Sequence, residues 1–158
     1  MPLIRPLQPA DLDQVRTVYS DAVISQAPGL YSIAQIEAWA GHAGSIGDLG
    51  EALQRGYGLA SCASETPRII EAFALLDPAD RLALLYCRGR SSRQGRAGAL
   101  LAGLEAHAMA RGERRLRTEA SQLSRPLLER RGWRVEAPED VIFAGLPFHR
   151  WRMIKELI

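Results

Sequence analysis

The chain is short of almost everything that would announce a specialised architecture. Of its 20 basic residues only Lys155 is lysine, which leaves 19 arginines against 18 acidic residues and a net charge of +2. So even a balance gives no electrostatic case for nucleic acid, and a chain-wide arginine skew lowers the weight of any single arginine cluster. Cysteine is limited to Cys62 and Cys87, each inside an apolar segment, and both read as small core residues. The three histidines, His42, His107 and His149, have no partner at metal-ligand spacing, and no Gly-x-Ser-x-Gly elbow occurs, which disfavours metalloenzymes and hydrolases. No apolar run nears the roughly 20 residues of a membrane span, and no secretory apolar segment follows Met1. With neither repeat nor low-complexity tract, the expectation is one cytoplasmic domain over residues 1–158, with no membrane, nucleic-acid or metal partner.

The most informative segment runs from Leu85 to Leu101. Arg81–Cys87 is one arginine followed by six apolar residues, short enough for a buried strand. From Ala97, the residues Leu100, Leu101, Leu104 and Ala108 recur at helical spacing. Between them lies a loop of Arg, Ser and Gly, and a helix that starts directly after such a loop presents backbone N–H groups and a positive dipole end to an anion. Gly95, Ala97 and Gly98 allow close approach to the backbone, while Arg88, Arg90, Arg93 and Arg96 are expected to add charge. Other phosphate loops fit worse. Gly89 and Gly95 are wrongly spaced for a Walker loop, which also needs a Lys, and three glycines spaced Gly-x-Gly-x-x-Gly are missing.

Along the rest of the chain, Leu3–Leu7 reads as a strand. Pro9-Ala10-Asp11 opens a helix that buries Leu12, Val15, Val18, Tyr19 and Ala22. Ser32 and Gln35 form a capping box for a second helix carrying Ile33, Ile36 and Trp39. Gly41, Gly44, Gly47 and Gly50 predict a loose loop before a short helix at Glu51–Arg55. Strands at Tyr57–Ala63, Arg68–Leu76 and Arg81–Cys87 predict an antiparallel meander. After the helix beginning at Ala97, the pattern predicts a strand at Arg114–Ala120 and a helix at Leu123–Arg131 ended by Gly132. Closing strands follow at Trp133–Glu136, Val141–Ala144 and Phe148–Leu157. The order β-α-α-β-β-β-α-β-α-β-β predicts an α+β fold with a mixed, mostly antiparallel sheet flanked by helices.

Leu85-Tyr86-Cys87 followed by Ser92-Arg93-Gln94-Gly95-Arg96-Ala97 resembles motif A of the GNAT superfamily of acetyl-coenzyme A-dependent N-acetyltransferases. Ser92 replaces the leading Gln or Arg of that motif. Thr118-Glu119-Ala120-Ser121 and Arg125–Trp133 are similar to motif B, with twelve residues from Ser121 to Trp133 as in the family. The run Tyr31–Trp39 is similar to a branch of small bacterial members. The resemblance implies acetyl-coenzyme A as co-substrate and no metal. It implies that Tyr86, Cys87, Arg88, Ser92, Arg93, Gln94, Gly95, Arg96, Ala97, Gly98, Ser121 and Leu128 contact the coenzyme, with the Cys87 N–H aimed at the thioester oxygen. The acceptor would be a primary amine of a small molecule or a protein, walled by Tyr31 and Trp39, with Asp48 or Glu37 to meet a cation. A homodimer stays open.

Proton chemistry departs from the pattern. The motif-B tyrosine that protonates the leaving thiolate is here Leu128, and Leu82-Ala83-Leu84-Leu85 holds no carboxylate. Glu119 is the candidate base, or a surface carboxylate pairing with Arg117 or Arg115. Ser121 is a candidate partner for the sulfur, or a plain helix cap. Trp39 is either a pocket wall or core. Beside an N-acetyltransferase, the missing groups allow a catalytically weak or inactive acyl-coenzyme A-binding protein. A nucleic-acid module built on Arg111–Arg117 and Arg130–Arg134 fits worst, since acidic residues interleave and no aromatic row accompanies them.

Overall fold

The computed structural model describes residues 3–44, 46–63 and 66–157. Seven strands form one sheet: β1 (Leu3–Pro6), β2 (Tyr57–Ala63), β3 (Thr66–Leu76), β4 (Arg81–Cys87), β5 (Arg115–Ala120), β6 (Arg134–Phe143) and β7 (Leu146–Glu156), in the order β1-β2-β3-β4-β5-β7-β6. Every neighbouring pair is antiparallel except β4–β5. Five helices flank it: α1 (Leu12–Gln26), α2 (Ile33–Gly41), α3 (Ile46–Arg55), α4 (Arg96–Ala110) and α5 (Arg125–Arg130). The apolar interior divides across the sheet. Val15, Val18 and Tyr19 of α1 pack with Trp39, Leu53, Ile70 and Phe73 on one face. On the other, Leu100, Leu101, Leu104 and Ala108 of α4 pack with Leu82, Leu116, Leu128 and Met153. This is the mixed, mostly antiparallel arrangement expected, and the α4 stripe is the one its spacing picked out. Among the described residues, no helix is long and apolar enough to cross a membrane.

Several elements differ from expectation, each for a physical reason. The glycine-rich stretch is helical from Ile46 because Leu49, Ala52 and Leu53 recur at helical spacing and are buried, and tertiary packing outweighs the entropy of Gly47 and Gly50. Of the apolar residues on α2, Ile33 is 77% exposed, since the first residue of the helix faces outward while Trp39 turns in. The two strands expected at Trp133–Glu136 and Val141–Ala144 are one ten-residue strand, β6. It lies at the sheet edge, where Pro138 need not donate to a neighbour. The two-residue turn Ala144-Gly145, with φ of 50° and 82°, closes the β6–β7 hairpin directly.

The feature that positions everything else is the brief contact of β4 with β5. These strands, joined through α4 in a parallel crossover, pair only at Arg81 with Arg117 and Leu82 with Thr118. The buried Thr118 hydroxyl donates to the Leu82 carbonyl at 2.7 Å and fastens that joint. Thr118→Val keeps the shape but leaves this carbonyl short of a donor. It is expected to cost about 1 kcal/mol, lowering the melting temperature by roughly 2–4 °C for a domain of this size, as calorimetry would read it.

Candidate active site

Beyond Leu82 the two strands diverge, and two hollows meet in the opening. Trp39, Ala83, Leu84, Tyr86, Glu119 and Ser121 line both. The smaller hollow, of about 150 Å³, lies between the strands and is bounded by Cys87, Ala97 and Leu127. The larger, of about 320 Å³, lies toward α2 and is bounded by Tyr31 and Phe148.

Backbone direction in β4 follows from its ladder. The Arg88 N–H donates to the Glu71 carbonyl at 2.8 Å, so the strictly alternating antiparallel pattern turns the N–H groups of Cys87 and Leu85 away from β3, into the cleft β5 has vacated. The Cys87 carbonyl is already met by the Gln26 side-chain amide at 2.6 Å, which leaves the N–H as that residue's open group. Burial pushes the Cys87 thiol up to about 11, so it stays protonated at neutral pH and is no nucleophile.

The loop after β4 is held from beneath. Gly89 donates its N–H to Asp21 at 2.8 Å, and a Cβ there would lie 2.5 Å from the Ser25 hydroxyl. Ser92 folds back to donate to the Gly89 carbonyl at 2.9 Å. Arg93 and Gly95 adopt φ of 61° and 81°, which swings the chain into α4. A Cβ at Gly95 or Gly98 would meet nothing within 4 Å, so the backbone at the start of α4 stands open on that side.

Of the arginines expected to surround an anion, three point elsewhere. Arg88 donates to the Ile70 carbonyl at 2.9 Å, Arg90 binds Glu71, and Arg96 reaches back to Ser61 and the Cys62 carbonyl. Only Arg93 among them makes no hydrogen bond or ion pair within the described residues, and it is exposed, as is Gln94. The sequence reading overlooked why: Glu71, a buried carboxylate inside the apolar run Ile69–Leu76, gathers Arg90 and the Ser91 hydroxyl. A charge interrupting such a run was the available signal.

Glu119 pairs with neither Arg117 nor Arg115, which bind Asp80 and Glu156. Its Oε1 accepts from Arg81 Nε at 3.0 Å and Nη2 at 2.7 Å, across the joint between β4 and β5. Both bonds fall on one oxygen. Ser121 accepts the N–H groups of Leu123 and Ser124 at 3.2 and 3.1 Å, so it caps the turn before α5 while still facing both hollows. Leu128 is a buried core residue that also lines the smaller hollow. The Tyr86 hydroxyl accepts the Trp39 indole N–H at 3.2 Å, with the Tyr19 ring centred 4.4 Å from its own, and burial raises its pKa. Tyr31 accepts the Gln122 N–H at 2.8 Å and stacks edge-on against Trp39 at 5.2 Å. Trp39 is therefore both core and wall. Glu37 is exposed on the outer face of α2, away from the larger hollow, and the Asp48 side chain lies outside the described residues.

Residues 31–155 match the family model of the acetyltransferase (GNAT) domain. Among solved structures, the chain is similar to a GCN5-related N-acetyltransferase of Rhodopseudomonas palustris, with 24% identity, a TM-score of 0.92, and coverage of 99% of this chain and 96% of that one. It is also similar to the PaiA N-acetyltransferase of Thermoplasma acidophilum, solved in complex with coenzyme A, with 20% identity, a TM-score of 0.77 and 99% of each chain covered. A third, YncA of Salmonella typhimurium, solved with acetyl-CoA, shares 16% identity at a TM-score of 0.65, covering 100% of this chain and 95% of that one. No curated protein sequence matches the chain.

The Glu71 cluster makes a pH prediction. Arg90, joined by Ser91, holds the Glu71 carboxyl down from 4.5 to about 2. A carboxyl lowered by folding contributes stability that is present above its ordinary value and is lost as pH falls toward its folded one. The melting-temperature gap between the wild type and Glu71→Gln should be full at pH 6 and shrink between about pH 4.5 and 2. A gap independent of pH would show that the cluster carries no charge-linked stability.

Proposed function

This chain belongs to the GNAT acetyltransferase family, and from that premise we propose that it transfers an acetyl group from acetyl-coenzyme A to a primary amine of a small molecule or a protein. The observation that carries the reading is the cleft between β4 and β5, into which Leu85 and Cys87 turn unpaired N–H groups. The site fits the coenzyme. The open backbone at Gly95 and Gly98, the dipole of a 15-residue helix and the exposed Arg93 suit a diphosphate. The coenzyme brings an activated thioester; the chain must orient it, steady charge and move protons.

Cys87 offers its N–H to the thioester oxygen, where a fixed donor contributes roughly 3 kcal/mol as charge develops. The amine reaches the same carbon from the larger hollow, attacking directly, because the Cys87 thiol is protonated. An ordinary alkylamine has a pKa near 10.4, so a base must take its proton at neutral pH. Glu119, which lines both hollows and whose Oε2 is not bonded to Arg81, takes that role. As the C–N bond forms and the C–S bond breaks, the thiolate needs a proton that Leu128 cannot give. Tyr86 is the replacement in this reading: Trp39 occupies its oxygen as a donor, so the hydroxyl proton is directed elsewhere, and burial keeps it protonated. Leu128 also favours a second reading, an acyl-coenzyme A-binding protein of weak activity.

Acetyl-coenzyme A at 100 times its dissociation constant should stabilise the fold by roughly 2.7 kcal/mol. Gly98→Asp should abolish that shift yet leave the free protein as stable or more so, because an acidic residue suits the first turn of α4 and its side chain meets nothing. An unmoved melting temperature in the wild type would sink the coenzyme assignment. Tyr86→Phe should lower kcat by about 10²-fold with coenzyme affinity unchanged. Equal rates would exclude Tyr86 as the donor, and absence of turnover in the wild type with every amine would favour the second reading.

A further inference from the structure

The larger hollow has more to say about its occupant. Six rings line it, those of Tyr19, Tyr31, Trp39, Tyr86, Phe143 and Phe148, beside aliphatic residues such as Leu49 and Val141. These rings are locked to one another. Trp39 lies edge-on to Phe148 at 6.1 Å, Phe143 edge-on to Phe148 at 5.6 Å, and Tyr31 is 5.9 Å from Phe148. Rings held at such fixed, mostly edge-on angles leave a rigid apolar wall that a planar apolar body meets better than a flexible chain, and an ammonium beside them gains from their faces.

The polar side is largely used up. Asp77 accepts Arg55 on both oxygens, at 3.1 and 2.9 Å, and Glu119 accepts Arg81 on one. His149 is bound to Asp140 and Arg150 to Glu139. Two carboxylates thus line the hollow, and Glu119 Oε2 is the one carboxylate oxygen there without a hydrogen bond in the described structure. That oxygen belongs to a residue lining both hollows. It can serve one ammonium at the junction with the thioester cleft, but no second cation further out, where Arg55, Arg81 and Arg150 stand. The volume of about 320 Å³ lies at the lower end of small-molecule sites.

We propose that the acceptor is a small arylalkyl monoamine, with its ring in the aromatic slot and its ammonium on Glu119, in preference to a polyamine or a protein lysine. This rests on the acetyl-transfer reading of the site, so binding and turnover must be read separately. Binding of 2-phenylethylamine, spermidine and Nα-acetyl-lysine methylamide to the coenzyme A-loaded protein is measured by calorimetry. Acetylation of the same three is measured by thiol release. The expected result is at least tenfold tighter binding and at least tenfold higher kcat/KM for 2-phenylethylamine. Glu119→Gln should weaken 2-phenylethylamine by about tenfold but leave 2-phenylethanol unchanged. Phe143→Ala, at the half-exposed rim of the slot, should weaken both. Spermidine or the lysine amide binding equally well or better would overturn the proposal, as would indifference of 2-phenylethylamine to both substitutions. If 2-phenylethylamine binds with this selectivity and no amine is acetylated, the slot stands and the acetyl-transfer reading falls.

Discussion

Every part of the site depends on β4 and β5 staying together for two residues and no more. Were they paired to their ends, the N–H groups of Leu85 and Cys87 would be spent on the ladder and no cleft would exist. Two local features set the limits of this pairing. The Thr118 hydroxyl fastens the joint with a side-chain bond to Leu82. Opposite it, the β3–β4 register slips between Leu75 and Leu76, so Leu75 faces Leu84 while Leu76 faces Leu82 and Ala83 is the extra residue. Such a bulge bends its strand away from its old direction. The backbone groups thereby left unpaired would be costly if sealed from water, which is why the opening must remain a solvent-filled or ligand-filled space.

The arginine excess fits this architecture in a way that composition alone hides. Arginines near the cleft act as internal braces rather than as ligands in waiting. Arg81 ties the first residue of β4 to Glu119 near the end of β5, and Arg96 ties the start of α4 to β2. Arg90 ties the loop to Glu71 in β3. A planar guanidinium can make such bonds in fixed directions, which a lysine cannot. The loop is therefore rigid where it meets the sheet and bare where it faces solvent, and the bare part holds Arg93, Gln94 and Gly95.

Local signals read this chain well and long-range ones poorly. The bounds of β2 and β4, the Ser32–Gln35 capping box and the buried stripe of α4 all rest on patterns within a few residues, and the structure repeats them. The glycine spacing around α3 misled because packing by Leu49 and Leu53 decided the matter. The strands expected at Trp133–Glu136 and Val141–Ala144 merge because Pro138 is tolerated on an edge strand, and only the topology reveals that β6 is one. The arginine directions were hidden for the same reason. Their partners lie 19, 35 and 38 residues away, and nothing in the intervening sequence marks the pairing.

The aromatic cluster illustrates how one set of side chains can serve stability and recognition without conflict. Its polar atoms satisfy one another or the backbone: the Trp39 indole donates to Tyr86, and the Tyr31 hydroxyl accepts from Gln122 beside the turn that Ser121 caps. A wall so satisfied does not collapse into the hollow to find partners, and its rings hold their angles before any ligand arrives. Preorganisation of that kind reduces the ordering cost of binding. It also couples the two hollows, because Trp39 and Tyr86 belong to both. A shift of the Trp39 ring changes the larger hollow and, through one hydrogen bond, the Tyr86 hydroxyl on the wall the two hollows share. The shapes of the two hollows are thus set by the same contact.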